Sequence, residues 1–205
     1  MRKLARQCIL AAMTLSLPAL PALAQDAASD NSSDIRQLEI RAFEFDLTVA
    51  LPVMRADVWQ ALTGDVSGWW NQRFSETPDR LVLFPRPGGA FWEYFDRDGA
   101  TGVEHAEIIV AQPPEGLVMT GPFGFSGNAV EMVVTYALEP VAEEELSGDL
   151  DRTGSILTVT VTVFGVYKDG WDTDARAVWR HLIEDRLKGY LEAGCRGGGP
   201  CEDFE

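Results

Sequence analysis

The chain has 205 residues, of which 32 are acidic and 17 basic, and its formal net charge is −15. So acidic a chain repels the phosphates of nucleic acids and of anionic lipid surfaces, so we expect no nucleic-acid partner and poor binding to anionic lipid surfaces. The length allows one domain of ordinary size.

The N-terminal segment has the pattern of a secretory signal peptide. Arg2, Lys3 and Arg6 precede an apolar run at residues 8–17. The small residues Ala22 and Ala24 suit a signal peptidase, which predicts cleavage after Ala24. The run is too short for a permanent membrane span. Removal of this segment, with three basic residues and no acidic one, takes the net charge from −15 to −18. We therefore expect a periplasmic or secreted mature protein without a membrane span.

Composition divides the remaining chain into three parts. Residues 25–37 are rich in Asp, Ser and Asn, which predicts a disordered leader. Residues 38–193 contain no Pro/Gly-rich linker and no internal repeat, which predicts a single domain. Residues 194–205 form an acidic tail that contains two cysteines. Within the domain, the acidic insert at residues 143–151 is typical of a surface loop.

The first elements follow from the spacing of apolar residues. Residues 43–51 alternate apolar and polar side chains, as in a strand with one buried face. Pro52 ends the strand, and the helical spacing within residues 54–62 predicts a short helix. Residues 65–71 leave room for a second short helix of one or two turns, with Asp65 as its N-cap.

Six further segments have strand patterns and are separated by turns. They comprise residues 80–84, 89–95, 101–111, 116–120, 130–138 and 157–163. The turns between the earlier segments are rich in Pro, Gly and Asp, which is the composition of tight connections. This order predicts an antiparallel meander.

The one long helical segment is predicted at residues 172–192, and Gly194 lies just beyond its end. Its wide apolar stripe needs a large surface to cover it, and the sheet is the surface available. The predicted fold is therefore α+β of the helix-grip type. It consists of a curved antiparallel sheet of six or seven strands around a long C-terminal helix, with two short helices after the first strand.

Five motifs resemble those of the SRPBCC superfamily (START, polyketide cyclase and Bet v 1-like proteins). Within it, the chain is most similar to the branch named for the activator of Hsp90 ATPase. The motifs lie at residues 58–63, 69–70, 87–89, 113–118 and 179–191. The resemblance covers nearly the whole mature chain and implies a cavity for an apolar or amphipathic ligand between the helix and the sheet. An exported protein is not expected to meet ATP-driven Hsp90, so the export signal departs from that branch.

The resemblance predicts which residues line the cavity. They are Trp69, Trp70, Trp92, Met119, Phe123, Phe125, Met132, Tyr136, Trp179, Ile183 and Leu187. The adjacent tryptophans of the sequence GDVSGWW form either part of the rim or a cap on the core. The glycine-rich loop at residues 122–127 carries two phenylalanines, and it is either a mobile flap over the cavity or a plug in the core.

Cys195 and Cys201 are expected to form a disulfide in an oxidising compartment. Their spacing is too wide for a CxxC redox pair, and too few ligands lie nearby for a metal site, so we predict neither a metal nor a cofactor. The glycines between the two cysteines allow a short ring to close.

No catalytic residue is predicted. His105 lies on a strand with Glu107, so these two could pair, but an outward polar face is the simpler explanation. His181 is placed on or near the solvent side of the long helix. No serine or cysteine has a nucleophile motif. An enzyme would need Glu93, His105, Glu107 or Tyr136 to point into the cavity with altered pKa values.

Three functions are consistent with these features. The first is a non-enzymatic carrier or sensor of a small hydrophobic molecule or lipid. The second is a protein-interaction module of the cell envelope, which predicts an exposed apolar patch and no cavity. The third is a cyclase or aromatase-like enzyme in the same cavity. Oligomeric state is left open.

Overall fold

The structure is a computed structural model that describes residues 35–141 and 154–204. The predicted signal peptide at residues 1–24, most of the predicted leader and the acidic insert at residues 143–151 lie outside the described residues. The chain consists of two units with their boundary between Gln37 and Leu38. Every helix and strand described below belongs to the second unit.

Eight antiparallel strands form one open sheet. The strands are β1 (Arg41–Leu51), β2 (Gly64–Asp65), β3 (Arg80–Leu83), β4 (Ala90–Tyr94), β5 (Gly102–Gln112), β6 (Gly116–Gly121), β7 (Val130–Pro140) and β8 (Ser155–Gly165). Their order across the sheet is β1-β8-β7-β6-β5-β4-β3-β2. Register irregularities between β4 and β5 and between β5 and β6 are β-bulges, which bend a sheet.

The helices lie between β1 and β2 and after β8. Helix α1 spans Arg55–Leu62. The C-terminal helical segment consists of α2 (Trp171–Arg180), a π-helical stretch (His181–Leu187) and α3 (Lys188–Glu192). The predicted helix-grip α+β fold is confirmed, with eight strands in place of six or seven. Strand β2 has only two residues, too few to leave an alternating pattern in the sequence.

The predicted second short helix does not form, since the one helix between Arg55 and Arg80 is α1. Gly64 and Asp65 pair instead with Leu83 and Val82 as strand β2. The Asp65 carboxylate accepts a hydrogen bond from the Ser67 backbone N–H at 2.9 Å, two residues on. This is an Asx-turn, the alternative to helix capping that short acidic side chains favour.

The core lies between the sheet and the C-terminal helical segment. Met132, Val134, Tyr136 and Leu138 of β7 are buried, and they pair with buried residues of β8. The helical segment buries the predicted stripe, including Trp179, Leu182, Ile183, Leu187, Tyr190 and Leu191. Burial of this apolar surface is the main contribution to the stability of the fold.

The C-terminal tail packs against the same helical segment. Cys195 and Cys201 form the predicted disulfide, with their Cα atoms 6.0 Å apart. The Phe204 ring lies edge-to-face with Tyr190 at 5.7 Å. A Cβ on Gly189 would lie 3.1 Å from a ring carbon of Phe204, so the glycine makes room for the tail.

We expect Leu187→Ala to lower the free energy of unfolding by about 2–5 kcal/mol, because it empties a fully buried leucine site between helix and sheet. Urea denaturation checks this. The control is Glu184→Ala, an exposed position in the same π-helical stretch, which we expect to stay within about 0.5 kcal/mol of the parent. Equal effects of the two substitutions would contradict the placement of the helix.

Candidate ligand-binding cavity

The adjacent tryptophans have different surroundings. Trp69 is 1% exposed, and its indole N–H donates a hydrogen bond to the Ala61 carbonyl at 2.7 Å. Trp70 donates its indole N–H to the Gln72 carbonyl at 2.7 Å. The Trp70 ring meets Phe91 at 4.9 Å on one side and Trp179 at 5.7 Å on another. Trp69 therefore caps the core, whereas Trp70 reaches an adjoining cavity.

This aromatic cavity lies between the first turns of the C-terminal helical segment, strand β7 and two loops, and its volume is about 230 Å³. It is lined by Trp70, Gln72, Phe123, Gly124, Phe125, Met132, Trp171, Asp174, Ala175, Val178, Trp179 and Leu182. Five of these twelve residues are aromatic and one carries a formal charge. The cavity therefore suits a mainly apolar molecule.

Ring contacts fix the walls of the aromatic cavity. The planes of Trp70 and Trp179 cross at 83°, and those of Phe123 and Trp179 at 71°. Phe125 stacks on Trp171 with ring centroids 4.6 Å apart. Edge-to-face and offset-stacked pairs are the arrangements that aromatic rings prefer, so the walls hold one another in place.

The loop at residues 122–127 closes one side of the cavity. It forms a single 3-10 turn at Phe123–Phe125. Phe123 is buried and has φ of 46°, a left-handed conformation that costs a non-glycine residue about 1–3 kcal/mol. Burial of its ring offsets that cost. Phe123 therefore acts as the predicted plug, and the half-buried Phe125 reaches the cavity mouth against Trp171.

The structure separates the eleven predicted cavity residues into three groups. Five of them line the aromatic cavity: Trp70, Phe123, Phe125, Met132 and Trp179. Another five are buried in the core and are not among its lining residues: Trp69, Met119, Tyr136, Ile183 and Leu187. Trp92 has the wrong orientation for this cavity, because Phe91 and Glu93 take the core face of β4 and Trp92 alternates to the other face.

Sequence reasoning missed several lining residues on the helix. Trp171, Ala175, Val178 and Leu182 recur at helical spacing and lie on one side of the cavity. The predicted helix began at residue 172, which left Trp171 outside the apolar stripe. Extending the helical period back by two turns from Val178 would have found it.

A buried histidine–carboxylate pair lies close to the cavity wall. His105 Nε2 is 2.9 Å from Glu93 Oε2, and these residues are 3% and 0% exposed. The Glu93 carboxylate also accepts the backbone N–H groups of Phe74 and Ser75, each at 2.7 Å. The pair therefore anchors the loop that carries Gln72 to the cavity.

The predicted alternative pairing of His105 with Glu107 is wrong. Phe91 pairs with Ala106 and Trp92 pairs with Glu104, which leaves His105 as the extra residue of a β-bulge. The bulge turns His105 to the core face, while Glu107 stays exposed. A break in strand alternation of this kind leaves no signal in the sequence.

Tyr136 and His181 are the remaining ionisable groups named above. Burial raises the pKa of the Tyr136 phenol far above its ordinary value, so the hydroxyl stays protonated. His181 contacts Asn71 and Asp185 at 2.9 Å each and is part-exposed, as expected.

Two further findings apply to residues 35–141 and 154–204. None of their His, Cys, Asp and Glu side chains form a group of three or more suited to a metal ion. None of their helices combines the length and the apolar character that crossing a membrane requires.

No protein-family model and no curated protein matches the chain. Several solved structures share its fold. A putative uncharacterized protein from Rhizobium leguminosarum is 22% identical, with a TM-score of 0.51 over 75% of this chain and 98% of that one. A protein of unknown function from Staphylococcus aureus is 13% identical, with a TM-score of 0.54 over 76% and 97%. A conserved protein of unknown function from Enterococcus faecalis is 12% identical, with a TM-score of 0.52 over 82% and 81%. At these identities the likeness shows the fold alone.

We expect Glu93→Gln to lower the free energy of unfolding by about 1–3 kcal/mol, because the amide cannot accept every hydrogen bond of the buried carboxylate. Urea denaturation provides the measurement. Glu107→Gln is the matched control on the exposed side of β5 and is expected to change little. A larger effect at residue 107 than at residue 93 would contradict the pairing.

Proposed function

We propose that this protein is an exported, non-enzymatic binding protein that holds a small hydrophobic or amphipathic molecule in the aromatic cavity. The observation that carries the proposal is the cavity itself. Its five aromatic side chains and Met132 line open space beside a densely packed core. Apolar concave sites with a few polar groups at one side are the usual form of small-molecule sites.

The volume limits the size of the ligand. Cavities of about 150 Å³ admit benzene, and sites for drug-sized ligands occupy about 300–1,000 Å³. At about 230 Å³, the aromatic cavity suits a molecule of one or two rings, or the end of a longer amphipathic molecule. A lipid would therefore enter by one end and leave the remainder outside.

The polar groups near the cavity favour binding over proton transfer. Glu93 already accepts two backbone N–H groups and contacts His105, so its oxygens are occupied by the protein. Glu107 is exposed, and the Tyr136 phenol stays protonated. A cyclase-like reaction would need at least one of these groups free to face the ligand.

Export is proposed from the sequence and from the disulfide. The pattern at residues 1–24 supports a signal peptide, with the mature chain beginning at Gln25. The Cys195–Cys201 disulfide suits an oxidising compartment such as the periplasm. The helix-grip fold also supports the resemblance to the SRPBCC superfamily. We place the chain by its motifs in the branch named for the activator of Hsp90 ATPase, without Hsp90 as a partner.

Native mass spectrometry of the mature chain, purified from a periplasm without detergent, tests the function. We expect a bound molecule whose mass survives desalting and disappears on denaturation. A chain that carries no adduct, and gains none from a panel of lipids and aromatic compounds, would overturn the proposal.

A cavity-filling substitution links binding to the aromatic cavity. Ala175→Leu adds bulk to a buried lining position, and we expect at least tenfold weaker binding of the retained molecule because the space is small. Ala177→Leu makes the same change at an exposed position of α2 outside this cavity and is expected to leave affinity unchanged. Titration of both variants with the extracted molecule decides the question. Equal affinities would place the molecule elsewhere.

A further inference from the structure

The aromatic cavity carries one negative charge in an otherwise uncharged lining. Asp174 is the one charged residue among the twelve that line it, and its side chain is exposed at the first turn of α2. The remaining polar side chain is Gln72, an uncharged amide. An anionic ligand would meet Asp174 without a cationic partner in the lining.

The N-terminus of α2 does not make the cavity favourable for an anion. The start of α2 contributes roughly half a positive elementary charge from its backbone N–H groups. Asp172 and Asp174, both in that first turn, supply two full negative charges. The local charge is therefore negative, in a chain whose net charge is −15. A cation would be attracted to the mouth of the cavity from a distance.

The aromatic walls suit the same kind of ligand. The faces of Trp and Phe rings carry negative electrostatic potential, and they attract cations placed within about 6 Å of the ring centre. Three tryptophans and two phenylalanines line the cavity, and the planes of two ring pairs cross at 83° and 71°. Rings at these angles present surfaces to the cavity from more than one direction.

Size and hydration then select the type of cation. A compact ammonium such as that of lysine is strongly hydrated and loses its water at high cost in an apolar site. An alkylated ammonium group spreads the same charge over methyl groups and can contact ring faces directly. Its bulk is compatible with a cavity of about 230 Å³.

We propose that the ligand of the aromatic cavity carries a methylated ammonium group, which lies against the tryptophan and phenylalanine rings with Asp174 at the mouth. This inference rests on the proposed function and adds the chemical class of the ligand. The neutral part of the molecule extends past Gln72 and Asp174 toward solvent.

The experiment compares choline with 3,3-dimethylbutan-1-ol, its uncharged isostere, by calorimetric titration of the mature chain at low salt. Since the two probes have nearly the same shape, a difference in affinity reports the charge. We expect choline to bind at least about tenfold more tightly. Added salt is expected to reduce the difference, because it screens the exposed Asp174.

Two matched variants test whether the charge of Asp174 causes the tighter binding of choline. Asp174→Asn removes the charge that lines the cavity and is expected to weaken choline binding about three- to tenfold, more than it weakens binding of the neutral probe. Asp172→Asn removes a charge from the same helical turn but outside the cavity lining, and it is expected to have the smaller effect. Equal losses in both variants would overturn the role of Asp174.

The remaining outcomes separate this inference from the proposed function. Equal affinities for the two probes, both reduced by Ala175→Leu, would overturn the ammonium group and leave a hydrophobic site in place. Binding of neither probe also overturns the ammonium group. If indole then fails to bind as well, and native mass spectrometry shows no retained molecule, the proposed function itself is overturned.

Discussion

The contacts of Trp179 hold the candidate site together. Its ring meets Trp70 from the loop after β2, Phe123 from the 122–127 loop and Tyr136 from β7, at centroid distances of 5.7, 5.7 and 6.5 Å. Trp179 is itself held by α2, whose apolar side is buried against the sheet. Packing of the helix on the sheet therefore sets both the stability of the fold and the shape of the cavity.

A second series of contacts joins the buried pair of His105 and Glu93 to Trp179. His105 packs on Phe91 at 4.9 Å, Phe91 meets Trp70 at 4.9 Å, and Trp70 meets Trp179. Glu93 meanwhile binds the backbone of the loop that follows Trp70. A buried carboxylate without these partners would cost several kcal/mol. With them, it gives the cavity a wall that has little freedom to move.

The sequence predicts the long elements well because their patterns are long. Strands β1, β7 and β8 have 11 residues each and alternate over at least seven of them, and the stripe of the C-terminal helical segment extends over several turns. A fold with one sheet and one long helix leaves few ways to bury both apolar faces. The disulfide was also predictable, from compartment and spacing.

The site was predicted less completely, for local reasons. The bulge at His105 and the Asx-turn at Asp65 each depend on one or two residues. The apolar periodicity of a strand or helix extends over many residues and cannot predict such local features. The orientation of Trp92 was readable in principle, but it required placing Glu93 in the core, which hydrophobic patterning disfavours. The partner of that carboxylate appears only when β4 and β5 are paired.

Both proposals depend on the aromatic cavity being open, apolar space in the folded protein. A crystal structure of the mature chain under xenon pressure tests this most directly, because xenon occupies dry apolar cavities without needing a specific ligand. We expect xenon in the space lined by Trp70, Met132 and Trp179, beside the stacked pair of Phe125 and Trp171. Lining side chains that fill this space, with no xenon bound, would show that no open cavity exists.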